Sequence, residues 1–331
     1  MSEKQDRFNV KAARNRAGVA DALQHAPEDQ ATTAPETLSR AFPGGLPDPA
    51  RPVLLAGPTA SGKSALALAL ARAQGRAVVN ADALQVYGMW RVLTARPSRS
   101  ETDAVTHLLY GHVGREPYSV GHWLRELAKV LQAHPNPVII GGTGLYFMAL
   151  TEGLAPIPPV PTDVRAESDA RLASEGARAL LAELDAATAA RIDPLNPARI
   201  QRAWEVLRAT GRGLADWQAD TPPPLLPASD AAAAVVMMPE RAWLAARIET
   251  RFAAMLEGGA LAEVRAALPH WYPAAPWARA IGAPELVAHL RGEVTLQAAS
   301  AAAIVATRQY AKRQRTWFSR RMKTWQRVDP A

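Results

Sequence analysis

A glycine-rich segment ending in Lys-Ser places the strongest constraint on how this chain folds. Residues Gly57 to Ser64 read Gly-Pro-Thr-Ala-Ser-Gly-Lys-Ser and fit the pattern G-x-x-x-x-G-K-[ST]. They follow the apolar run Val53–Ala56 and precede a segment with a helical pattern, which is the context that this motif requires. In such a loop, backbone N–H groups and the helix N-terminus surround an anion. The segment therefore predicts a loop that binds phosphate or diphosphate, without identifying the substrate.

The two residues that end this motif carry much of its chemistry. Lys63 supplies a positive charge to the distal phosphate, and the Ser64 hydroxyl can ligate Mg²⁺. The spacing does not match the dinucleotide-binding pattern G-x-G-x-x-G, so we set that interpretation aside. We predict that the whole loop contacts the phosphate groups, through Gly57, Pro58, Thr59, Ala60, Ser61, Gly62, Lys63 and Ser64.

Short apolar runs alternate with helical patterns along the first half of the chain. After Val53–Ala56, the runs at residues 77–79 and 137–140 have the length and composition of strands that are buried on both faces. Strands that alternate with helices indicate a parallel sheet. Together with the phosphate loop, they predict an α/β fold with a P-loop NTPase-like parallel sheet core.

The character of the chain changes near residue 156. Prolines at residues 156–161 are followed by alanine-rich helical patterns, and the apolar run at residues 234–238 then has the composition of another buried strand. We interpret the middle segment as a helical insertion domain. The predicted organisation is a poorly ordered extension at residues 1–50 with a short helix near residues 10–23, a first core part at 51–155, the insertion at 156–228, and a second core part with basic C-terminal helices at 229–331.

Charge and composition narrow the class of protein. The net charge of +7 favours an anionic partner such as nucleic acid or phosphates, although an alanine- and arginine-rich composition unrelated to binding gives the same charge. The chain has no cysteine, which excludes disulfides and thiolate–metal sites. No apolar run approaches the roughly 18 residues that span a bilayer. We expect a monomeric cytoplasmic protein that does not enter a membrane.

An aspartate follows the second predicted strand. Asp82 lies in the segment Asn-Ala-Asp after the apolar run at residues 77–79. Because the carboxyl ends of the strands face the ligand crevice in a doubly wound sheet, we expect Asp82 beside the phosphate loop. A carboxylate at this position can act as a general base or hold a metal ion. The alternative is an aspartate that only caps a turn or a helix.

The third predicted strand ends in a second glycine-rich turn. Residues 137–140 run into Gly141-Gly142-Thr143-Gly144 without an acidic residue. A hydrolytic P-loop NTPase usually ends a strand with an acid that helps to hold Mg²⁺, so this feature weakens the ATPase interpretation. The glycines and the Thr143 hydroxyl suit close approach of a flat or anionic ligand. A plain strand-to-helix turn is the alternative.

Three segments in this order resemble the family of tRNA dimethylallyltransferases, also called tRNA isopentenyltransferases. They are GPTASGKS at residues 57–64, NADALQVY at 80–87 and GGTGLY at 141–146. Further segments are similar to family motifs and extend the resemblance over roughly residues 52–325. They are PYSV at residues 117–120, NPARIQRAWEV at 196–206, RAIG at 279–282 and TRQYAKRQRTWF at 307–318.

The resemblance implies a reaction and roles for the residues above. It implies that the loop binds dimethylallyl diphosphate rather than ATP, together with Mg²⁺, and that the acceptor is N6 of the adenosine 3′ of the anticodon in tRNA. Lys63 would stabilise the leaving diphosphate, Asp82 would accept the N6 proton, and Thr143 would contact the reacting nucleotide. Arg247 is a further predicted contact of the diphosphate.

The resemblance also implies a surface for the tRNA anticodon stem-loop. Basic residues dominate the segment from Arg308 to Arg327, and the aromatic residues Trp317 and Phe318 within it are interpreted as core anchors. An ordinary solvated helix face is the alternative for the arginines at 199 and 202. The predicted tRNA contacts are Asp82, Ala83, Leu84, Gln85, Thr143, Arg165, Ala198, Arg199, Ile200, Gln201, Arg202, Lys312 and Arg313.

The chain departs from the family pattern at several positions. Ala83 stands where the family commonly has serine, Arg96 where it has lysine, Thr106 where it often has histidine, and Ala283 where it often has an aromatic residue. Two rival interpretations remain, a P-loop small-molecule kinase that uses ATP and a catalytically idle RNA-binding protein. The basic tail opposes the first, and the joint presence of Lys63, Ser64, Asp82 and Thr143 opposes the second.

Overall fold

Six short strands form one parallel sheet at the centre of residues 34–330, the part of the chain that the structure, a computed structural model, describes. The order across the sheet is β3-β2-β4-β1-β5-β6, and every neighbouring pair is parallel. The parallel sheet predicted from the apolar runs is therefore confirmed. The strands are β1 Val53–Ala56, β2 Val78–Asn80, β3 His107–Leu108, β4 Val138–Gly141, β5 Ala233–Met237 and β6 Gln326–Val328.

Alternating side chains of the central strand β1 pack into two different cores. Leu55 packs on one face with Leu66 and Leu70 of the first helix after the phosphate loop. Leu54 packs on the other face with a cluster that includes Phe318. Because successive side chains of a strand point to opposite faces, a continuous apolar run is what a sheet covered on both sides requires. The helices that precede residue 156 are α1 Ala34–Ala41, α2 Lys63–Gln74, α3 Arg99–Ala104, α4 Val120–Ala133 and α5 Gly144–Glu152.

Five helices with a small core of their own follow. Leu180, Ile200 and Trp204 are buried together, which explains why these short helices pack against one another. Asp185 and Asn196 accept hydrogen bonds at the N-termini of the third and fourth of them, so local capping fixes where these helices begin. The limits 156–228 of an insertion domain stay a prediction. The helices are α6 Thr162–Glu175, α7 Ala177–Ala182, α8 Ala186–Arg191, α9 Pro197–Thr210 and α10 Leu214–Ala219.

The C-terminal helices return the chain to the sheet. The longest of them, α14, covers the face of the sheet that carries Leu54 and places Phe318 in that core, as predicted for this aromatic residue. After α14 the chain adds β6 beside β5. In residues 34–330, no helix combines the length and the apolar character that a membrane span needs. The helices are α11 Arg241–Glu257, α12 Ala260–Ala267, α13 Ala283–Leu290 and α14 Leu296–Arg321.

Residues 34–50 differ from the predicted poorly ordered extension. They form α1 and a loop, and Ala41 and Phe42 are buried in the core beside α2. The guanidinium of the buried Arg76 donates hydrogen bonds to the backbone oxygens of Asp48 and Arg51, both at 2.6 Å. A buried guanidinium that satisfies loop carbonyls holds this segment in place. The helix predicted near residues 10–23 lies outside the described residues.

Candidate active site

The predicted phosphate loop connects β1 to α2 and curls tightly. Ala60 and Gly62 both have positive φ angles, 63° and 85°, which is an uncommon conformation for alanine. A Cβ atom at Gly57 would lie 2.8 Å from Ser61 Oγ and 3.2 Å from Met237 Cβ, so only glycine fits there. The loop lines a cavity of about 760 Å³ with Ala60, Ser61, Gly62, Lys63 and Ser64.

The interior of the loop contains polar groups that a bound anion would satisfy. The Ser61 hydroxyl is buried, and no hydrogen-bond partner for it is present among the described residues. A buried polar atom without a partner carries a free-energy cost of about 1–3 kcal/mol, which a ligand oxygen would remove. The N–H groups of the first turn of α2 also lack partners within their own helix. The loop therefore fits a phosphate or diphosphate group.

Lys63 lies at the base of the loop. Its ammonium donates a hydrogen bond to the Pro58 backbone oxygen at 3.2 Å. Burial lowers the pKa of Lys63 to about 8, while the nearby charge of Asp82 raises it and that of Arg251 lowers it further. The ammonium is therefore mostly charged at neutral pH and loses its proton as the pH rises through about 8.

Two arginines one turn apart on α11 face the loop. The Arg251 guanidinium donates a hydrogen bond to Thr59 Oγ1, and burial, followed by the charge of Arg247, lowers its pKa to about 10. Arg247, the predicted contact, is more exposed; its Nε lies 3.4 Å from the Ala60 oxygen and its guanidinium stacks on Trp243. Arg251 was not predicted from the sequence, although its spacing of four from Arg247 places both on one helix face.

Asp82 lies just beyond β2, at the edge of the sheet that carries the phosphate loop. Its Oδ1 accepts a hydrogen bond from the Leu84 N–H at 3.0 Å, and its own N–H donates to Asn80 Oδ1 at 2.9 Å. With Thr59 and Arg251, it lines a second, smaller cavity of about 70 Å³. The structure thus brings the predicted carboxylate and the predicted loop to one place.

Close packing accounts for the glycines of the second turn. A Cβ atom on Gly141 would overlap the Ala81 backbone, and one on Gly144 would overlap the Trp317 ring. The Thr143 hydroxyl accepts a hydrogen bond from the Ala83 N–H at 3.0 Å, so it supports the segment that carries Asp82. These contacts explain the turn without a ligand, and the predicted contact of Thr143 with the reacting nucleotide stays a prediction.

Gln314 of α14, which was not predicted from the sequence, joins the two glycine-rich turns. Its Oε1 accepts a hydrogen bond from the Thr59 N–H at 2.9 Å, and its Nε2 donates to the Gly142 oxygen at 2.9 Å. Its side chain is buried. On the preceding turn, Tyr310 reaches the smaller cavity, and burial together with the charge of Asp82 raises the pKa of its hydroxyl.

We expect Gln314→Ala to destabilise the protein by about 1–3 kcal/mol, because it leaves the buried Gly142 oxygen and the partly buried Thr59 N–H without their partners. Gln309→Ala is the matched control, since this exposed glutamine lies on the same helix. Urea unfolding of both variants measures the difference. If Gln314→Ala loses no more stability than the control, the two hydrogen bonds of Gln314 do not contribute to the free energy of unfolding.

The predicted tRNA contacts fall into three places. Ala83, Leu84 and Gln85 follow Asp82; Leu84 lines the smaller cavity, and the Gln85 amide donates to the backbone oxygens of Thr94 and Ala95 at 2.8 and 3.1 Å. The other two places are exposed helix surfaces, and Lys312 on the second of them lines a further cavity of about 520 Å³. Exposed predicted contacts are Arg165 on α6, Ala198, Arg199 and Arg202 on α9, and Lys312 and Arg313 on α14.

Three residues of the predicted α9 contact surface are engaged within the protein. Arg202, although exposed, forms an ion pair with Glu205 at 3.6 Å. Ile200 is fully buried with Leu180 and Trp204, so its side chain cannot reach RNA, and that assignment is corrected. The Gln201 amide donates hydrogen bonds to Ser168 Oγ at 3.0 Å and Asp169 Oδ1 at 2.6 Å, which ties α9 to α6. Arg199 and Arg202 lie three positions apart on one exposed face of the helix, while Ile200 points into the small core.

Arg96, which stands where the family pattern has lysine, fits because residue 111 is a glycine. The Arg96 guanidinium donates to the Trp90 and Gly88 backbone oxygens, both at 3.0 Å, and lies where a Cβ of Gly111 would be. Its charge borders the larger cavity. Ala283, another departure, is buried at the start of α13. For Ala83 in place of serine, the structure shows no compensating contact.

Comparison with known proteins adds an independent finding. The family model described as IPP transferase matches residues 85–322, and the model described as Isopentenyl transferase matches residues 51–111. A tRNA dimethylallyltransferase of Cereibacter sphaeroides is 67% identical over 279 residues, which cover 84% of this chain and 88% of that protein. A tRNA dimethylallyltransferase of Dinoroseobacter shibae is 63% identical over 283 residues, covering 85% and 95%.

Solved structures are similar to this chain over 85% of its length. A full-length tRNA isopentenylpyrophosphate transferase from Bacillus halodurans has a TM-score of 0.59 at 29% identity, covering 85% of this chain and 90% of that one. A eukaryotic dimethylallyltransferase acting on tRNA has a TM-score of 0.71 at 23% identity, covering 85% and 74%, and bears on the fold alone. The predicted α/β fold with a P-loop NTPase-like sheet core is confirmed.

Proposed function

Because the chain belongs to the tRNA dimethylallyltransferase family, we propose that it transfers a dimethylallyl group from dimethylallyl diphosphate to N6 of the adenosine 3′-adjacent to the anticodon in tRNA. One structural observation supports this proposal in addition to the family resemblance. The same small cavity is lined by Thr59 of the phosphate loop, by the Arg251 guanidinium that donates to Thr59, and by the Asp82 carboxylate. An anionic leaving group and an acceptor that loses a proton would therefore bind side by side.

The loop side of the site would bind the diphosphate of the donor. Lys63, Arg247 and Arg251 place three positive charges around the loop, and the Ser61 hydroxyl supplies a further hydrogen bond. As the allylic C1–O bond breaks, its electron pair passes to the diphosphate oxygen. Fixed cations and N–H groups aimed at this oxygen stabilise the charge that develops there.

The Asp82 side of the site would activate the acceptor. The N6 lone pair forms the new bond to C1, and an N6 proton passes to the Asp82 carboxylate. An exocyclic adenine amine is a weak nucleophile, because its lone pair is delocalised into the ring, so a base that removes the proton during bond formation accelerates transfer. The Leu84 N–H holds Asp82 Oδ1 and leaves Oδ2 for this role.

We propose that Mg²⁺ takes part, held by the Ser64 hydroxyl together with oxygens of the bound diphosphate. Ser64 lines the larger cavity, and no group of three His, Cys, Asp or Glu side chains in residues 34–330 is arranged to hold a metal ion. This fits a cation that uses few protein ligands and shares phosphate oxygens. When bound, the ion neutralises charge on the leaving diphosphate.

We propose that residues 156–228 form the tRNA-binding insertion domain. Arg165, Arg199 and Arg202 present exposed positive charges there, and Lys312 and Arg313 do so on α14. These charges suit the phosphate backbone of an anticodon stem-loop. The adenine must leave its stack to bring N6 to the Asp82 carboxylate. Because tRNA would be the substrate, we also propose a cytoplasmic protein; a monomer stays a prediction.

The decisive experiment incubates the purified protein with tRNA and radiolabelled dimethylallyl diphosphate, in parallel with radiolabelled ATP. We expect label from the prenyl donor at one adenosine of the tRNA and no transfer from ATP. Phosphorylation of a small molecule without prenylated RNA would instead favour the kinase alternative. Binding of tRNA without transfer from either donor would indicate an RNA-binding protein.

The proposal predicts a pH dependence that arises from Lys63. Since the pKa of Lys63 is about 8, the ammonium loses its charge above that pH, and the anionic donor then binds only with uptake of a proton. We expect the KM for dimethylallyl diphosphate to rise by up to about tenfold per pH unit between pH 8 and 9.5. Steady-state kinetics at saturating tRNA measure this.

Lys63→Arg is the matched variant for this pH test, because arginine keeps its charge throughout the range. Its KM is expected to stay flat from pH 7 to 9.5, whatever its absolute value. A wild-type KM that does not change over this range would show that the Lys63 charge does not contribute to donor binding.

A further inference from the structure

The smaller cavity is divided into a polar side and an apolar side. Thr59, Asp82 and Arg251 form the side that faces the phosphate loop. Thr94, Thr307 and Tyr310 add further polar groups to the lining, and the apolar side is made of hydrophobic residues from four different parts of the chain. These apolar residues are Leu84, Leu93, Ile248, Phe252, Met255 and Ile281.

Phe252 and Leu93 form a packed end wall on the apolar side. Each is only 5% exposed. Gly282 backs them directly: a Cβ atom at Gly282 would lie 2.9 Å from Leu93 Cδ1 and 3.2 Å from Phe252 Cε2. The side chains of Leu93 and Phe252 therefore cannot move outward, because packed interiors resist displacement by even a methylene group.

The polar and apolar sides are linked through one rigid element. Arg251 contacts Thr59 of the phosphate loop, and Phe252 is the next residue of α11, a helix of 17 residues. A diphosphate held by the loop and Arg251 would place the attached hydrocarbon between Asp82 and the Phe252 ring. The distance from the leaving group to the wall is thus set by the helix itself.

We propose that Phe252 and Leu93 limit the length of the prenyl group that the enzyme transfers to five carbons. This inference rests on the proposed function. A ten-carbon donor carries five more carbons than the dimethylallyl group, and these would have to pass Leu93 and Phe252, where Gly282 leaves no free space. A longer donor would have to displace the wall or leave its C1 atom away from Asp82.

The test compares two donors, dimethylallyl diphosphate and the ten-carbon geranyl diphosphate, with tRNA as the acceptor. In Phe252→Ala the wall opens, and the ratio of kcat/KM for the ten-carbon donor to that for the five-carbon donor is expected to rise by about 100-fold. Leu93→Ala, a smaller truncation, is expected to raise the ratio by about tenfold. A ratio of two donors on one enzyme does not change merely because part of the protein is unfolded.

Phe42→Ala is the matched control. Phe42 is a buried phenylalanine that packs beside α1 and lines neither cavity, so its truncation weakens the fold without opening the wall. We expect its donor ratio to equal that of the wild type. An unchanged ratio in both Phe252→Ala and Leu93→Ala would overturn the inference. If the wild type transfers neither prenyl group to tRNA, the proposed function fails, and this inference fails with it.

Discussion

Replacing Asp82 by asparagine is expected to lower the rate of prenyl transfer by about 10²–10⁴-fold, the range that a positioned general base contributes. The amide oxygen of asparagine can still accept the Leu84 N–H, so the turn after β2 should keep its shape. What is lost is the ability to take the N6 proton. Single-turnover transfer from labelled dimethylallyl diphosphate to tRNA measures the rate, and filter binding measures tRNA affinity.

The two measurements together identify the role of Asp82. We expect tRNA affinity within about twofold of the wild type, since the exposed arginines of α6 and α9 remain. Asp103→Asn is the matched control, because this aspartate is exposed on α3 and lines neither cavity. Equal losses of tRNA affinity and rate in Asp82→Asn would assign Asp82 to RNA binding instead of proton removal.

Parts of the site that depend on local patterns could be predicted from the sequence. The phosphate loop is one continuous segment between a strand and a helix, and Asp82 follows a recognisable strand. Parallel strands place their carboxyl ends at one edge of the sheet, which is why two segments 18 residues or more apart could be expected to meet. The structure brings Lys63 and Asp82 close enough for the aspartate to raise the lysine pKa.

Parts of the site that depend on distant contacts could not be predicted. Gln314 binds the Thr59 N–H across 255 positions of sequence, and Arg251 binds the Thr59 hydroxyl across 192. Nothing in the pattern around either residue distinguishes it from its polar neighbours on the same helix. Only the packing of α11 and α14 against each other and against the phosphate loop selects them.

Ile200 shows how a motif can mislead when it is taken as a continuous range. The resemblance marks residues 198–202 as one contact segment, but the segment is helical and successive residues point about 100° apart. Arg199 and Arg202 therefore face solvent while Ile200 enters the small core with Leu180 and Trp204. The same helical periodicity, applied to the sequence, would have separated the two groups.

Replacing Arg251 by glutamine is expected to lower kcat by about 10²–10³-fold, the loss typical of removing one preorganised donor from a developing negative charge. The partly buried Arg251 guanidinium donates a hydrogen bond to Thr59 at the point where the phosphate loop meets the cavity of Asp82. A charge in such a desolvated place acts on the leaving diphosphate more strongly than one in water. Glutamine keeps a hydrogen-bond donor for Thr59 and removes the charge.

A comparison with Arg247→Gln shows which of the two arginines, Arg247 or Arg251, stabilises the leaving diphosphate. Arg247 is more exposed, stacks on Trp243, and lies one turn from Arg251 on the same helix, so Arg247→Gln removes the same charge from a better-solvated position. We expect this variant to raise KM for dimethylallyl diphosphate by roughly tenfold or less and to leave kcat within a few-fold, because a screened charge contributes to binding more than to the transition state. Arg251→Lys is expected to recover only part of kcat, since an ammonium lacks the planar fork of a guanidinium. A larger fall of kcat in Arg247→Gln than in Arg251→Gln would reverse the assignment and make the residue predicted from the sequence the one that stabilises the leaving group.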